Sequence, residues 1–418
     1  MKHLTYLIVL VLALQICGNK SFAQNFDCSG GRYQDSLFEI TITPNVLYGS
    51  NLNYAGAQTN LYMNIYTPTG DNLDKRPLII FAPKGSFLQQ DRNEKTMVQL
   101  CTRFAQMGYV TAAIDYRVGV NYAATYLNPQ KEFTYAVLRA SHDYKAAIRF
   151  FRKDAATTNI YKIDPEMIIA GGSSAGAITA VHVAYLDTVS EMPTVIDTAG
   201  LGGAEGLSGN IGYSSKVNYV VNLCGAIADT NWITANNIPL ISMHGNLDTE
   251  VPYGTATISM GIPIMAVDGS ASINLRAQHL GIENPFYTFW GQQHIPYDEN
   301  AAGSYELYMD TVVNFVKTHL HNWICSLSSI NEISATQPSF LISPNPASDF
   351  IDIKIDDFNK LSKIEIIDYC GRIIYTETIS LSEKKYKKNI PLSNYKKGFY
   401  LIKATSQDLI KIQKMVIN

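Results

Sequence analysis

Ser174 lies at the centre of Gly172-Ser173-Ser174-Ala175-Gly176, a Gly-x-Ser-x-Gly pentapeptide. A serine hydroxyl attacks a carbonyl efficiently only when a base takes its proton, and that base is usually a histidine held by a carboxylate. Two later residues have the required types. Asp248 stands 74 positions after Ser174, in a turn behind Ile241-Ser242-Met243-His244, and His294 stands 46 positions after Asp248, in Gly291-Gln292-Gln293-His294. Serine, acid, histidine is the chain order of nucleophiles carried on a strand-turn-helix elbow. The competitors are weaker. Glu250 is a second acid near Asp248. His279 falls within a predicted helix, and His319 and His321 fall at a helix end, where a histidine serves the helix dipole. His142 and His182 sit on predicted helices and read as packing or surface residues. His244 reads as a brace for the turn bearing Asp248.

The oxyanion of an acyl-transfer intermediate needs two preset backbone donors. The N–H of Ala175, directly after the nucleophile, is one. The other is expected from the loop after Phe81, at Gly85 or Ser86. Phe87, Ser173 and Trp290 adjoin these motifs and are expected to contact substrate.

These residues need a scaffold that brings loops from distant positions to one edge. Continuous apolar runs at 77–81, 109–114, 168–170, 217–223 and 239–243 have the character of strands buried on both faces. Helical periodicity separates them at 93–107 and 132–153, and returns at 272–280 and 305–319. This alternation predicts a doubly wound, mostly parallel α/β sheet with each candidate residue in a loop after a strand. The Gly-, Ser- and Thr-rich stretch 187–217 is predicted to be a lid or cleft wall, the usual role of so long a loop. Residues 326–339 read as a linker. From 340 the period changes to two, which predicts a small all-β sandwich over 340–418.

Composition bounds the partners. A formal charge of −3 over 418 residues excludes recognition of nucleic acid by a basic surface. The six cysteines, at 17, 28, 101, 224, 325 and 370, form no C-x-x-C pair, so no metal or other cofactor is expected. Cys28 and Cys325 bracket the central region and could be bridged, whereas Cys101 and Cys224 read as buried thiols. Residues 1–23 have the short positive start, apolar run and small-residue end of a cleaved secretory signal; a lipoprotein signal at Cys17 is the alternative. No later stretch reads as a transmembrane segment. The catalytic domain is therefore expected over 24–325.

The segments LYMNIYTP, PLIIFAPKGSF, AIDYR, MIIAGGSSAGA, LISMHGNLDTEVPYG and WGQQHIPY resemble those of α/β-hydrolase carboxylesterases. The resemblance implies a Ser174-His294-Asp248 triad acting through an acyl-enzyme. It also implies an oxyanion loop of the HGGGF type, which here reads Pro83-Lys84-Gly85-Ser86-Phe87 and lacks the histidine. SPNPASDFIDI, IIDYCGRIIY, LSNYKKGFYLIKA and KMVIN resemble the C-terminal sorting domain of the type IX secretion system of Bacteroidetes. That implies export through the outer membrane by that machinery, and a location outside the cell or on its surface. The expected substrate is a small or polymeric ester, such as acylated polysaccharide or a polyester. A serine peptidase on the same fold and a catalytically silent adhesion module are the alternative readings.

Overall fold

A computed structural model describes residues 26–194, 196–300, 305–329, 339–356, 363–368, 372–379, 385–405 and 410–418. The expected signal segment 1–23, residues 330–338 of the expected linker and Cys370 lie outside these residues. Two compact units emerge, one over Phe26–Ser326 and one that includes Leu327–Asn418.

The first unit is built on eight strands: β1 (Glu39–Leu52), β2 (Gln58–Thr69), β3 (Arg76–Ala82), β4 (Val110–Ile114), β5 (Ile163–Ser173), β6 (Tyr219–Leu223), β8 (Leu240–Gly245) and β11 (Phe286–Phe289). Their order across the sheet is β1-β2-β4-β3-β5-β6-β8-β11, and β7 (Ala226–Ile227) lies in a separate three-stranded sheet with β9 (Thr255–Ser259) and β10 (Pro263–Gly269). The first two pairings are antiparallel and the remainder parallel. Every residue of β3 is buried, because helices cover both faces of the sheet there. The helices are α1 (Lys95–Gln106), α2 (Tyr122–Leu127), α3 (Pro129–Ala156), α4 (Ala175–Tyr185), α5 (Ser270–Leu280) and α6 (Tyr305–Ser329). The start of α3 is set locally: the Asn128 side chain accepts the Lys131 N–H at 3.0 Å, and Pro129 follows it. This is the α/β-hydrolase arrangement. The chain leaves β3 for β4 on one side and leaves β5 for β6 on the other, so the loops after β3 and β5 diverge and open a crevice between them.

The second unit has a three-stranded sheet and a four-stranded sheet, all antiparallel. Ile351, Ile353, Ile355, Ile364, Ile366, Ile402 and Met415 belong to one apolar core. Alternation along Phe350-Ile351-Asp352-Ile353 places every second residue in it, the period-two signal of a half-buried strand.

Stretch 187–217 contributes Pro193 to the wall of the candidate site among the described residues, and much of it lies against α3 instead. Its backbone carbonyls are held by basic residues of α3. Lys145 Nζ donates to Ala204 O at 2.8 Å, Arg149 Nη1 to Glu205 O at 3.0 Å and Arg149 Nε to Gly209 O at 2.9 Å. Ser208 Oγ donates to Asp143 at 2.6 Å, beside the buried Arg117–Asp143 ion pair. The segment covers α3, and its polar groups are satisfied by side chains that would otherwise face water.

A disulfide joins Cys28 to Cys325, with Cα atoms 6.0 Å apart and a sequence separation of 297. Cys101 and Cys224 are free and buried. Closing so long a loop removes much entropy from the unfolded chain, so Cys28→Ser or Cys325→Ser should cost about 3–5 kcal/mol. Thermal denaturation with and without reductant checks this; an unshifted midpoint would argue against it.

Candidate active site

Strand β5 ends at Ser173, and Ser174 has φ 54° and ψ −120°, a conformation that costs a non-glycine residue about 1–3 kcal/mol. The neighbours explain how it is held. Ser174 N–H donates to Leu223 O at 2.9 Å, and α4 begins at the next residue. A Cβ on Gly172 would come 2.3 Å from the Gly176 backbone, and one on Gly176 would come 2.0 Å from Ala82 O. Both glycines are needed because β3, β5 and α4 converge there.

His294 lies in the loop after β11 and Asp248 in the turn after β8. Ser174 Oγ is 2.8 Å from His294 Nε2, and His294 Nδ1 is 2.6 Å from Asp248 Oδ2. A carboxylate can only accept, so Nδ1 carries the proton and Nε2 is free to accept from the serine. Asp248 is fully buried; its Oδ1 accepts the N–H groups of Glu250 and Val251, each at 2.9 Å. Its Oδ2 also accepts from His244 Nε2 at 2.9 Å. His244 is in turn tied to Ser270 Oγ at 2.7 Å. Burial pushes the Asp248 carboxyl upward, but hydrogen bonds from His244 and His294 outweigh it and hold the group well below the usual carboxylate range. A carboxyl depressed on folding contributes stability above its unfolded value and loses it as pH falls through the folded one. The stability gap between wild type and Asp248→Asn should therefore be full near pH 7 and narrow below about pH 4. Urea unfolding at both pH values measures it.

Glu250, the competing acid, is 68% exposed and has its Oε2 3.9 Å from His294 Nε2, beyond hydrogen-bond reach. Cys224 lies near Asp248 and His294, but burial pushes its thiol up to about 12, so it is a neutral group at ordinary pH.

Ala175 is the first residue of α4, so its N–H has no intrahelical acceptor. In the loop after β3, Ser86 and Phe87 have φ 56° and 61°. The Leu88 and Gln89 N–H groups turn back to Gly85 O at 3.0 and 3.1 Å, leaving the amides of Ser86 and Phe87 outside that turn. Lys84, which the sequence reading gave no role, pairs with Glu94 at 2.9 Å and with Asp298, four residues beyond His294. It thus ties the loop after β3 to the loop that carries His294.

Ser174 and His294 face two clefts. One is apolar and encloses about 1100 Å³ of space, counted to its open mouth. Phe87 lines it, with Ala175, Ile178, Trp232 and a hairpin of β9 (Thr255–Ser259) and β10 (Pro263–Gly269). Pro193 is its lining residue from 187–217 among the described residues. The other cleft, about 750 Å³, is polar and lined by Lys84, Gly85, Gln89, Gln90, Asp91 and Glu94. Two residues read as substrate contacts lie elsewhere. Ser173 is buried, its Oγ 3.0 Å from Tyr297 Oη, because strand alternation turns it away from Ser174. Trp290 is 75% exposed, because Phe289 before it takes the inward position.

The family model BD-FAE matches residues 63–229, from β2 through Ser174 and beyond β6. The chain carries a BD-FAE domain. It is thus an esterase-like α/β-hydrolase, by class a carboxylic ester hydrolase. The BD-FAE match ends before Asp248 and His294. Residues 341–418 match the secretion system C-terminal sorting domain, which marks the chain for type IX export to the cell surface or beyond. No helix among the described residues is long and apolar enough to cross a membrane. Solved structures similar to this chain include Thermogutta terrifontis esterase 2 phosphonylated by cyclosarin, at 21% identity and TM-score 0.48, covering 68% of this chain and 94% of that one. Its apo form has the same values. The butyrate-bound form matches at 21% identity and TM-score 0.47, covering 63% of this chain and 90% of that one. No curated protein matches the chain.

Proposed function

We propose that the protein is an exported serine esterase that works through an acyl-enzyme, with Ser174 as nucleophile, His294 as general base and then acid, and Asp248 as the group that orients it. The observation that carries this reading is the unbroken hydrogen-bonded series from Ser174 Oγ through the His294 ring to buried Asp248. His294 Nε2 takes the serine proton as Oγ attacks the ester carbonyl. The oxyanion forms against the Ala175 N–H and an amide at Gly85 or Ser86. His294 then passes the proton to the departing alkoxide. Water repeats the sequence and releases the acid.

The two clefts support a division of the substrate. The acyl group occupies the apolar cleft, and a hydroxyl-rich alcohol, as in acylated polysaccharide or a polyester chain end, occupies the polar one. Rates on acetyl, butyryl and octanoyl p-nitrophenyl esters test this. Turnover should rise from acetyl towards the longer chains, by about three- to tenfold per step until the cleft is filled. Cleavage of peptide anilides at comparable rates would favour a peptidase, and turnover of none of these substrates would favour a silent adhesion module.

A further inference from the structure

A third cleft lies apart from the two at Ser174 and shares no lining residue with either. It encloses about 1060 Å³ of space, counted to its open mouth. Glu132, Tyr135, Arg139 and His142 line it, at the spacing of one face of α3, whereas the neighbouring face at Phe133 and Val137 lines the apolar cleft. Gly119 stands between the two. Its N–H donates to Phe87 O at 2.7 Å, and its carbonyl accepts from Arg139 Nη2 at 2.7 Å.

Arg139 is a buried cation without an anion. It is 8% exposed, its Nε is buried with no partner, and among the described residues no protein group accepts from Nη1 and no acid forms an ion pair with it. Arg117, in the same cleft, is by contrast paired with Asp143 at 2.8 Å. Glu132 spends its Oε2 on the Asn121 N–H at 3.3 Å. Burial, and after it the Arg117 charge, push the Arg139 guanidinium down to about 10. A charge held in this way costs free energy that an anionic ligand recovers.

The polar groups around it are donors as well. Asn53 Oδ1 accepts the N–H groups of Ala55 and Ala57, each at 3.0 Å, and Asn121 Oδ1 accepts that of Ala124 at 3.1 Å. Both amide oxygens are thus engaged, and among the described residues both NH2 groups lack an acceptor. Tyr54 supplies an apolar surface. It is 44% exposed, and its ring lies against Gly119, where a Cβ would come 2.4 Å from it. The matching ligand has one carboxylate, several oxygen acceptors and an apolar C–H face, which together describe the ring of a sugar acid.

We propose that this cleft is a second binding site, taking a hexuronic acid residue of an acidic polysaccharide, with the carboxylate on Arg139, sugar oxygens on the amides of Asn53 and Asn121, and a C–H face on Tyr54. The site holds the polymer beside the catalytic cleft. It goes beyond the esterase reading and does not depend on it.

Isothermal titration of the full chain with sodium D-glucuronate at constant ionic strength tests this. Wild type should bind one glucuronate with a dissociation constant on the order of 1 mM, and D-glucose and acetate each about tenfold more weakly or worse. Arg139→Met should weaken glucuronate about tenfold or more. Tyr54→Ala, at an exposed position, should weaken it several-fold, and Glu132→Gln should tighten it about two- to fivefold by removing a like charge from beside the ligand. Thermal melts confirm that folded variants are compared; if Arg139→Met does not fold, the opposite shifts in the other two variants carry the test. No binding of glucuronate, equal binding of glucose or acetate, or affinity unmoved by these substitutions overturns the proposal. Saturating glucuronate should leave p-nitrophenyl butyrate turnover unchanged, and competitive inhibition would place the sugar at Ser174 and overturn it too. Absence of ester turnover would count against the Ser174 reading alone.

Discussion

Ser174→Ala should lower kcat/KM for a p-nitrophenyl ester by about 10,000-fold or more, chiefly through kcat. The loss is large because the hydroxyl is the group that forms the covalent bond, and no other nucleophile stands within hydrogen-bonding reach of His294 Nε2 among the described residues. The fold should survive, since the Ser174 hydroxyl bonds to His294 and the elbow is held by backbone contacts and by Gly172 and Gly176. Ser174→Gly should be equally inactive but more stable than the alanine variant by about 1 kcal/mol, because glycine adopts φ 54° without strain. Initial rates and thermal denaturation on the three proteins check both parts. Wild-type rates in Ser174→Ala would remove this residue from the chemistry.

Asp248→Asn should lower kcat by about 1,000- to 10,000-fold while leaving the site's shape nearly intact. An amide can present its NH2 to His294 Nδ1, which then keeps its proton on Nε2 and can no longer accept from Ser174. The stability cost should be about 1–3 kcal/mol, because Asp248 also serves His244 and two backbone N–H groups. Glu250→Gln should change kcat only a few-fold, since that carboxylate is exposed and weakly coupled to the ring. A larger loss in Glu250→Gln than in Asp248→Asn would exchange the roles of the two acids. Initial-rate kinetics on both variants decide it.

The sheet was readable because each buried parallel strand is a short apolar run bounded by turn residues, and the helices between them carry a 3.6-residue stripe. The candidate residues were readable for the same reason: Ser174, Asp248 and His294 each follow such a run, and parallel strands deliver their carboxyl ends to one edge. Other features depended on packing between distant segments. His182 looked like a packing residue on an apolar helix, because nothing local shows that this helix face lines a cleft. The contacts of Lys145 and Arg149 of α3 with backbone carbonyls of Ala204, Glu205 and Gly209 join residues 56 to 60 positions apart. The β9–β10 hairpin carried too mixed a pattern to be read, although it supplies much of the wall that stretch 187–217 was expected to provide. Trp290 and Ser173 were adjacent to chemistry in sequence, but alternation along a strand separates neighbours onto opposite faces.

The strand-turn-helix elbow at Ser174, the order of acid and histidine behind it, the doubly wound, mostly parallel class of scaffold and the separate period-two tail are all legible in the sequence. Those properties are local: they follow from side-chain periodicity and from glycines where a β-carbon would collide. That His294 lies between Ser174 and Asp248, that Lys84 joins two loops and that His182 lines the apolar cleft follow from tertiary packing alone. Distances between loops 120 residues apart are set by how helices pack across the sheet, and no local pattern encodes them.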